Sequence, residues 1–126
     1  MPVNVRYIVD DVDKAVDFYC EQLGFAVEMR PPGRGFAMLS SGDLVLLLNE
    51  PGAGGAGQTS DPDVVPGPGG WCRFQRVVDD LDAEVARLTA AGVPLRGEPV
   101  CGQAGRQVVI DDPSGNPVEL FEPASH

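Results

Sequence analysis

Histidine is all but missing from this chain: the only one is His126, the last residue. A terminal side chain is seldom held in a folded site. No histidine is therefore expected to serve a metal centre, a proton relay or a Ser-His-Asp triad. Cysteine is nearly as scarce. Cys20, Cys72 and Cys101 are odd in number, far apart and never in a CxxC arrangement, which excludes a disulfide framework and a zinc knuckle. All three are expected to be buried or half-buried thiols, a common state of free cysteine. Basic residues are outnumbered 19 to 9 by acidic ones, a net charge of −10. Such a surface repels phosphate backbones and anionic lipid, so neither nucleic acid nor membrane is expected as a partner. No apolar run approaches the roughly 20 residues that span a bilayer. The opening MPVNVRYIVDD carries no basic segment leading into an apolar one, and a cytoplasmic protein is expected.

What the chain does have is repetition. Its 126 residues, 43% hydrophobic, suffice for one modest core and one compact domain. Within it, IVDDVDKAVDFYCEQLGF (8–25) is echoed by VVDDLDAEVARLTAAGV (77–93), and LLLNEP (46–51) by VELFEP (118–123). The chain reads as two copies of one unit. Module one covers 1–51, a Gly/Pro-rich linker 52–70, module two 71–123 and a tail 124–126. The stretch from Pro51 to Gly70 holds 11 Gly or Pro in 20 residues; it reads as a flexible linker or as a lid over a pocket.

In each copy a short strand runs into an aspartate pair, Asp10–Asp11 and Asp79–Asp80, whose carboxylates suit free N–H groups and the positive end of a helix. The first helix places Val12, Val16, Tyr19 and Leu23 on one stripe, the second Leu81, Val85 and Leu88. Gly24 and Gly92 are placed to close them in the left-handed conformation. Three strand-like runs follow each helix: FAVEMR, GFAMLSS and DLVLLLNE, then VPLRGEPV, RQVVIDD and PVELFE, so each unit is βαβββ.

This doubled βαβββ order, V-D-D-x-D opening both helices, FY late in the first helix, and the closing DPSGNPVELFEP resemble the vicinal oxygen chelate superfamily, which includes glyoxalase I, extradiol dioxygenases and bleomycin resistance proteins. The resemblance covers essentially the whole chain. It implies an α+β fold, two βαβββ modules forming a half-barrel cavity with the helices on the convex side, and a homodimer. It also implies up to four cavity-facing metal-ligand positions, one on the first and one on the last strand of each unit. These fall on Asn4, Leu47, Arg73 and Glu119. A divalent ion needs three or four nitrogen, oxygen or sulfur donors, and only Glu119 is a good one. No metal and no other cofactor is therefore expected. Arg76 marks a doubt about register, since the helix-facing slot it occupies suits an apolar residue and a slip would turn every side chain over.

Alternation along the strands puts Asn4, Arg6, Val45, Leu47 and Asn49 in the cavity from module one, with Phe36 and Met38 as wall. Trp71, Arg73, Gln75, Glu119 and Phe121 join them from module two. Arg73 and Glu119 form a plausible ion pair, and Trp71 suits the stacking of a flat ligand at a cavity mouth. Apolar walls with a few polar groups describe a small-molecule pocket. Together with the poor metal donors, they resemble the bleomycin-resistance branch. The expected function is sequestration of a large, partly aromatic antibiotic of bleomycin, mitomycin or quinone-enediyne type, without chemistry. The competing expectation is a glyoxalase-like lyase, isomerase or dioxygenase with Glu119 as general base and Arg73 stabilising an anion.

Overall fold

A computed structural model describes residues 3–61 and 63–125; the expectation made for His126 falls outside them. The chain divides into two compact units, Met1–Gly69 and Gly70–His126. The first runs β1 (Val3–Ile8), α1 (Val12–Leu23), β2 (Ala26–Met29), β3 (Phe36–Ser41) and β4 (Leu44–Asn49). The second runs β5 (Gln75–Val77), α2 (Leu81–Ala90), β6 (Val100–Cys101), β7 (Gly105–Asp111) and β8 (Pro117–Pro123). Their sheets have the same topology, β1-β4-β3-β2 and β5-β8-β7-β6. In each the first and last strands pair in parallel and the other pairs are antiparallel. This is the α+β, doubled βαβββ arrangement that the repeat predicts.

The helix starts form as their aspartates require. Asp11 accepts from the Asp13 and Lys14 amides at 3.0 and 3.1 Å, and Asp80 from the Ala83 amide at 3.0 Å. A second carboxylate completes each cap. Glu50 Oε2 accepts from Val12 N–H at 2.8 Å, and Glu122 Oε1 from Leu81 N–H at 2.9 Å. The two E-P phrases at the strand ends thus reach back to the first amide of each helix, one of the donors no helix can satisfy itself. At the other end, Gly24 turns left-handed at φ 70° and its N–H bonds Cys20 C=O at 3.2 Å, the αL closure of a helix. Gly92 has φ 79° after α2.

One face of each sheet packs on its helix. In the first unit Tyr7, Val9, Ala37, Leu39, Leu46 and Leu48 are buried, as are Val12, Val16, Tyr19 and Leu23 of α1. Tyr19 sits edge-on to Phe18 and Phe25, with centroids 5.0 and 5.6 Å apart. Each such side chain removed from water contributes about 1.5–3 kcal/mol. In the second unit Val108, Ile110, Val118 and Leu120 are buried, as are Leu81 and Leu88 of α2; Val85 is half-buried.

Three expectations need correction. The run VPLRGEPV yields only the two-residue β6 and a single bridge from Leu95 to Ile110; Pro94 and Pro99 remove ladder donors from it. Strand β5 begins at Gln75, so Trp71 and Arg73 precede it instead of alternating along it. Cys72 and Cys101 are exposed, and only Cys20 is half-buried. Cys72 precedes the three-residue β5 and Cys101 ends the two-residue β6, so neither lies within a long, covered strand. The register around Arg76 does not slip: Arg76 is paired with buried Leu120 on the helix-facing side. Burial there lowers its pKa from the ordinary value, Glu84 acting against the shift and Arg87 with it.

Candidate functional site

The faces turned away from the helices carry the remaining polar and aromatic side chains. In the first unit Asn4 is in register with Val45, Arg6 with Leu47 and Ile8 with Asn49. Phe36 is opposite Asn49, and Met38 opposite Leu47. Because residues in register point to one side, Asn4, Arg6, Phe36, Met38, Leu47 and Asn49 share a face. Asn4 and Arg6 are exposed and Phe36 and Met38 half-buried, whereas Leu47 and Asn49 are buried.

Asn49 is held by its neighbour loop. Its Nδ2 donates to Ala53 C=O at 3.1 Å, within a turn where Gly57 N–H bonds Ala53 C=O and Gly52 N–H bonds Gly57 C=O. The start of the Gly/Pro-rich segment is thus folded onto the end of β4. Asn49 Oδ1 has no protein donor, and among the described residues it is the buried side-chain atom left in that state. A buried acceptor without a partner costs about 1–3 kcal/mol, which makes it a natural receiver of a ligand or solvent N–H or O–H.

The second unit carries a charged cluster on its own open face. Gln75 is in register with Glu119, and Val77 with Phe121; Gln107 and Val109 face the same side from β7. Glu119, 8% exposed, accepts at both oxygens. Arg73 donates to Oε1 through Nε at 3.1 Å and Nη2 at 2.9 Å, and Gln75 Nε2 donates to Oε2 at 2.7 Å. Arg73 Nη1 also donates to Trp71 C=O at 3.1 Å. The carboxylate comes to this place through the turn before β8, where Asp112 Oδ1 accepts from the Ser114 and Asn116 amides at 2.9 and 2.8 Å and Gly115 takes φ 83°.

Sequence reasoning missed Arg96. Its guanidinium donates to Asp111 Oδ1 at 2.5 Å, Gly70 C=O at 2.5 Å and Gly115 C=O at 2.8 Å. Its Cζ lies 4.6 Å from the centre of the Trp71 ring. One face of the indole is therefore taken by a cation, while the residue stays 66% exposed. Trp71, Arg73, Arg96, Val100, Gln107 and Val109 border a cleft of about 210 Å³. A space this small takes one ring system, below the roughly 300–1,000 Å³ of a whole drug-sized ligand.

Over the described residues, a family model matches residues 3–120 and is that of the glyoxalase/bleomycin resistance protein/dioxygenase superfamily. The chain belongs to that superfamily. A search of curated protein sequences gives no match. Among solved structures, a lactoylglutathione lyase from Agrobacterium tumefaciens is 26% identical over 97% of this chain and 92% of its own, with a TM-score of 0.75. TnmS3, an antibiotic binding protein from Streptomyces sp. CB03234, is 30% identical over 98% of this chain and 96% of its own, TM-score 0.72. A glyoxalase/bleomycin resistance protein of the same Streptomyces is also 30% identical, over 96% and 99%, TM-score 0.67. The superfamily thus joins an enzyme and an antibiotic binder to the same fold, and fold alone does not decide between their activities.

The superfamily's enzymes imply a metal, and the side chains at the four positions expected to face it do not fit one. In the second unit Arg73 holds Glu119, so a cation already neutralises the one good donor. In the first unit Asn4 offers a single amide and Leu47 no donor atom. Among the described residues no three His, Cys, Asp or Glu side chains come together as a ligand set. Among them also, no helix is long and apolar enough to cross a membrane.

Proposed function

We propose that this superfamily member is a small-molecule binding protein that sequesters a large, partly aromatic antibiotic and so confers resistance to it without chemical change. The observation that carries the reading is Trp71: an exposed indole, backed by the Arg96 guanidinium, at the edge of a cleft that fits one planar ring. Arg96 restrains the indole, so less rotamer freedom is lost when a ring stacks on its open face. A quinone or heteroaromatic ring suits that face, with Gln107 amide at the border for its oxygens. On the first unit, taken by itself, Asn49 Oδ1 offers a buried acceptor for a ligand N–H or O–H. The 30% identity to an antibiotic binding protein points the same way.

Glyoxalase-like catalysis by Glu119 is the less favoured reading. A general base must give up its resting contacts or use a spare lone pair to reach a substrate proton, and three of the roughly four acceptor positions of Glu119 are taken, two by Arg73 and one by Gln75. We extend the proposal to a cytoplasmic, metal-free homodimer in which each chain acts as one domain. Trp71 is the only tryptophan, so its fluorescence reports the site directly. Titration with bleomycin, mitomycin C and a quinone-bearing enediyne is expected to give saturable quenching by one of them, together with a rise in melting temperature. Trp71→Ala is expected to abolish that rise. A panel without quenching or thermal shift defeats the proposal.

A further inference from the structure

The short β6 leaves a gap in the second unit's sheet. Leu95 bridges Ile110, and Val100 pairs with Gln107, so residues 96–99 stand opposite only Val108 and Val109. A regular antiparallel ladder sets equal numbers against each other, and the surplus on one side makes a bulge. Two residues favour it by their own chemistry. Gly97 takes φ +136°, a conformation closed to most side chains, and Pro99 has no N–H to give a neighbouring strand. The cleft beside Trp71 lies here, because Gly97, Gln107, Val108 and Val109 border it.

The gap leaves a strand donor over. The N–H and C=O of one strand residue point to the same side, and Val109 C=O accepts from Arg96 N–H at 2.8 Å. Val109 N–H therefore faces the gap too, and among the described residues no backbone acceptor meets it there. Gln107 stands two residues earlier on the open face and is half-buried. Its side-chain amide also makes no hydrogen bond among the described residues. Half-covered donors of this kind gain a bond when a ligand oxygen arrives.

Charge decides between a neutral oxygen and an anion. Arg73 is held by Glu119 and Trp71 C=O, and Arg96 by Asp111, Gly70 C=O and Gly115 C=O. Each guanidinium thus already has a carboxylate of the protein. Glu98 borders the same cleft, is exposed, and has no cation on it among the described residues. An anionic ligand would meet that charge on a chain of net charge −10, whereas a neutral carbonyl is not repelled.

We propose that the flat ligand at Trp71 carries a neutral ring carbonyl, whose oxygen enters the gap and accepts from Val109 N–H and the Gln107 amide. The inference rests on the stacking role of Trp71 and adds the class of ring: quinones, lactams and pyranones are selected over aromatic systems without a carbonyl. The strand holds the Val109 donor in place beforehand, so little ordering is lost on binding.

Two bicyclic probes, coumarin with a ring carbonyl and N-methylindole without one, are titrated into the full ¹⁵N-labelled chain. Trp71 is the only tryptophan, so its indole N–H gives a single signal in the amide NMR spectrum. That signal is expected to move with both probes. Only coumarin is expected to carry the Val109 amide proton downfield saturably, and to bind about fivefold or more tightly than N-methylindole. Gln107→Leu is expected to weaken coumarin about threefold or more and to leave N-methylindole unchanged. Gln107→Glu, which replaces the donor by a charge that repels a carbonyl oxygen, is expected to weaken coumarin at least as much, and serves if the leucine variant folds poorly. A Trp71 signal that neither probe moves defeats the stacking reading itself, and the proposal with it. Movement by both probes with the Val109 amide unshifted, or with equal affinities, leaves stacking intact and overturns the carbonyl proposal, as does undiminished coumarin affinity in the Gln107 variants. Tighter binding of quinaldate than of coumarin overturns the neutral-carbonyl assignment and makes the cleft an anion site.

Discussion

Replacing Arg73 by methionine tests whether the Arg73–Glu119 pair holds the second unit together. The side chains are 25% and 11% exposed, between the surface case, where an ion pair is worth about 0–1 kcal/mol, and the buried case, where removing one partner costs about 3–5 kcal/mol. Methionine fills much the same volume but donates nothing, so Glu119 Oε1 loses both its bonds and only Gln75 remains on Oε2. The expected cost is about 2–3 kcal/mol, mainly the penalty of a charge left without its partner. Glu119→Leu is expected to cost about as much, because Arg73 and Gln75 lose their acceptor. The double variant should cost no more than either single one, since two apolar groups replace a desolvated pair. Urea unfolding at pH 7, followed by circular dichroism, gives the double-mutant cycle. A coupling of about 2 kcal/mol that persists in about 0.5 M salt is expected, because partly buried pairs are screened weakly. A coupling below about 0.5 kcal/mol would refute the reasoning and return Glu119 to the pool of groups free for a ligand or a proton.

Thiol titration under native conditions should show two fast cysteines, the exposed Cys72 and Cys101, and a slower Cys20. Burial pushes the Cys20 pKa up while Arg30 pulls it down, so Arg30→Gln should slow Cys20 further by leaving less thiolate at pH 8; faster reaction would contradict this account. Gly105→Ala should cost more than about 3 kcal/mol, since a Cβ there would lie 2.1 Å from Glu122 O. Gly33→Ala, also at positive φ but in open space, should cost only about 1–2 kcal/mol, and equal melting temperatures would refute the distinction. Asp11→Ala removes two amide acceptances and Asp80→Ala one, so thermal unfolding should show losses of about 1–2 and about 1 kcal/mol respectively.

The fold was legible because its signals are local and occur twice. Asp11 and Asp80 announce the helix starts, Gly24 and Gly92 the ends, and the alternation in VELFE, with the echo that aligns LLLNEP to VELFEP, carries the register that puts Leu46, Leu48 and Leu120 on the helix side. Where the signal weakened, the reading did too. VPLRGEPV has enough apolar residues for a strand, but its prolines leave a two-residue β6. The expectation that cysteines lie buried rests on what is typical of the residue. Cys72 precedes the three-residue β5 and Cys101 ends the two-residue β6, where both are exposed.

The candidate site was legible only where one strand carries it. Glu119 could be placed by its position in VELFEP, and its pairing with Arg73 follows once two opposite charges share a sparse face. Arg96 gave no such sign, because its partners Gly70, Asp111 and Gly115 lie 26, 15 and 19 residues away and only the folded turn brings their oxygens together. Glu50 and Glu122 were visible as an echo without a role, since a strand-end carboxylate reaching a helix amide 38 or 41 residues earlier is a tertiary contact. Yet the echo held more than it first yields. The residue facing the strand-end carboxylate is Arg106 in one unit and Gly35 in the other, and the guanidinium on the equivalent aspartate is that of Arg106 on Asp82 and of Arg30 on Asp13. That asymmetry is written in the sequence once strand register aligns Gly35 with Arg106.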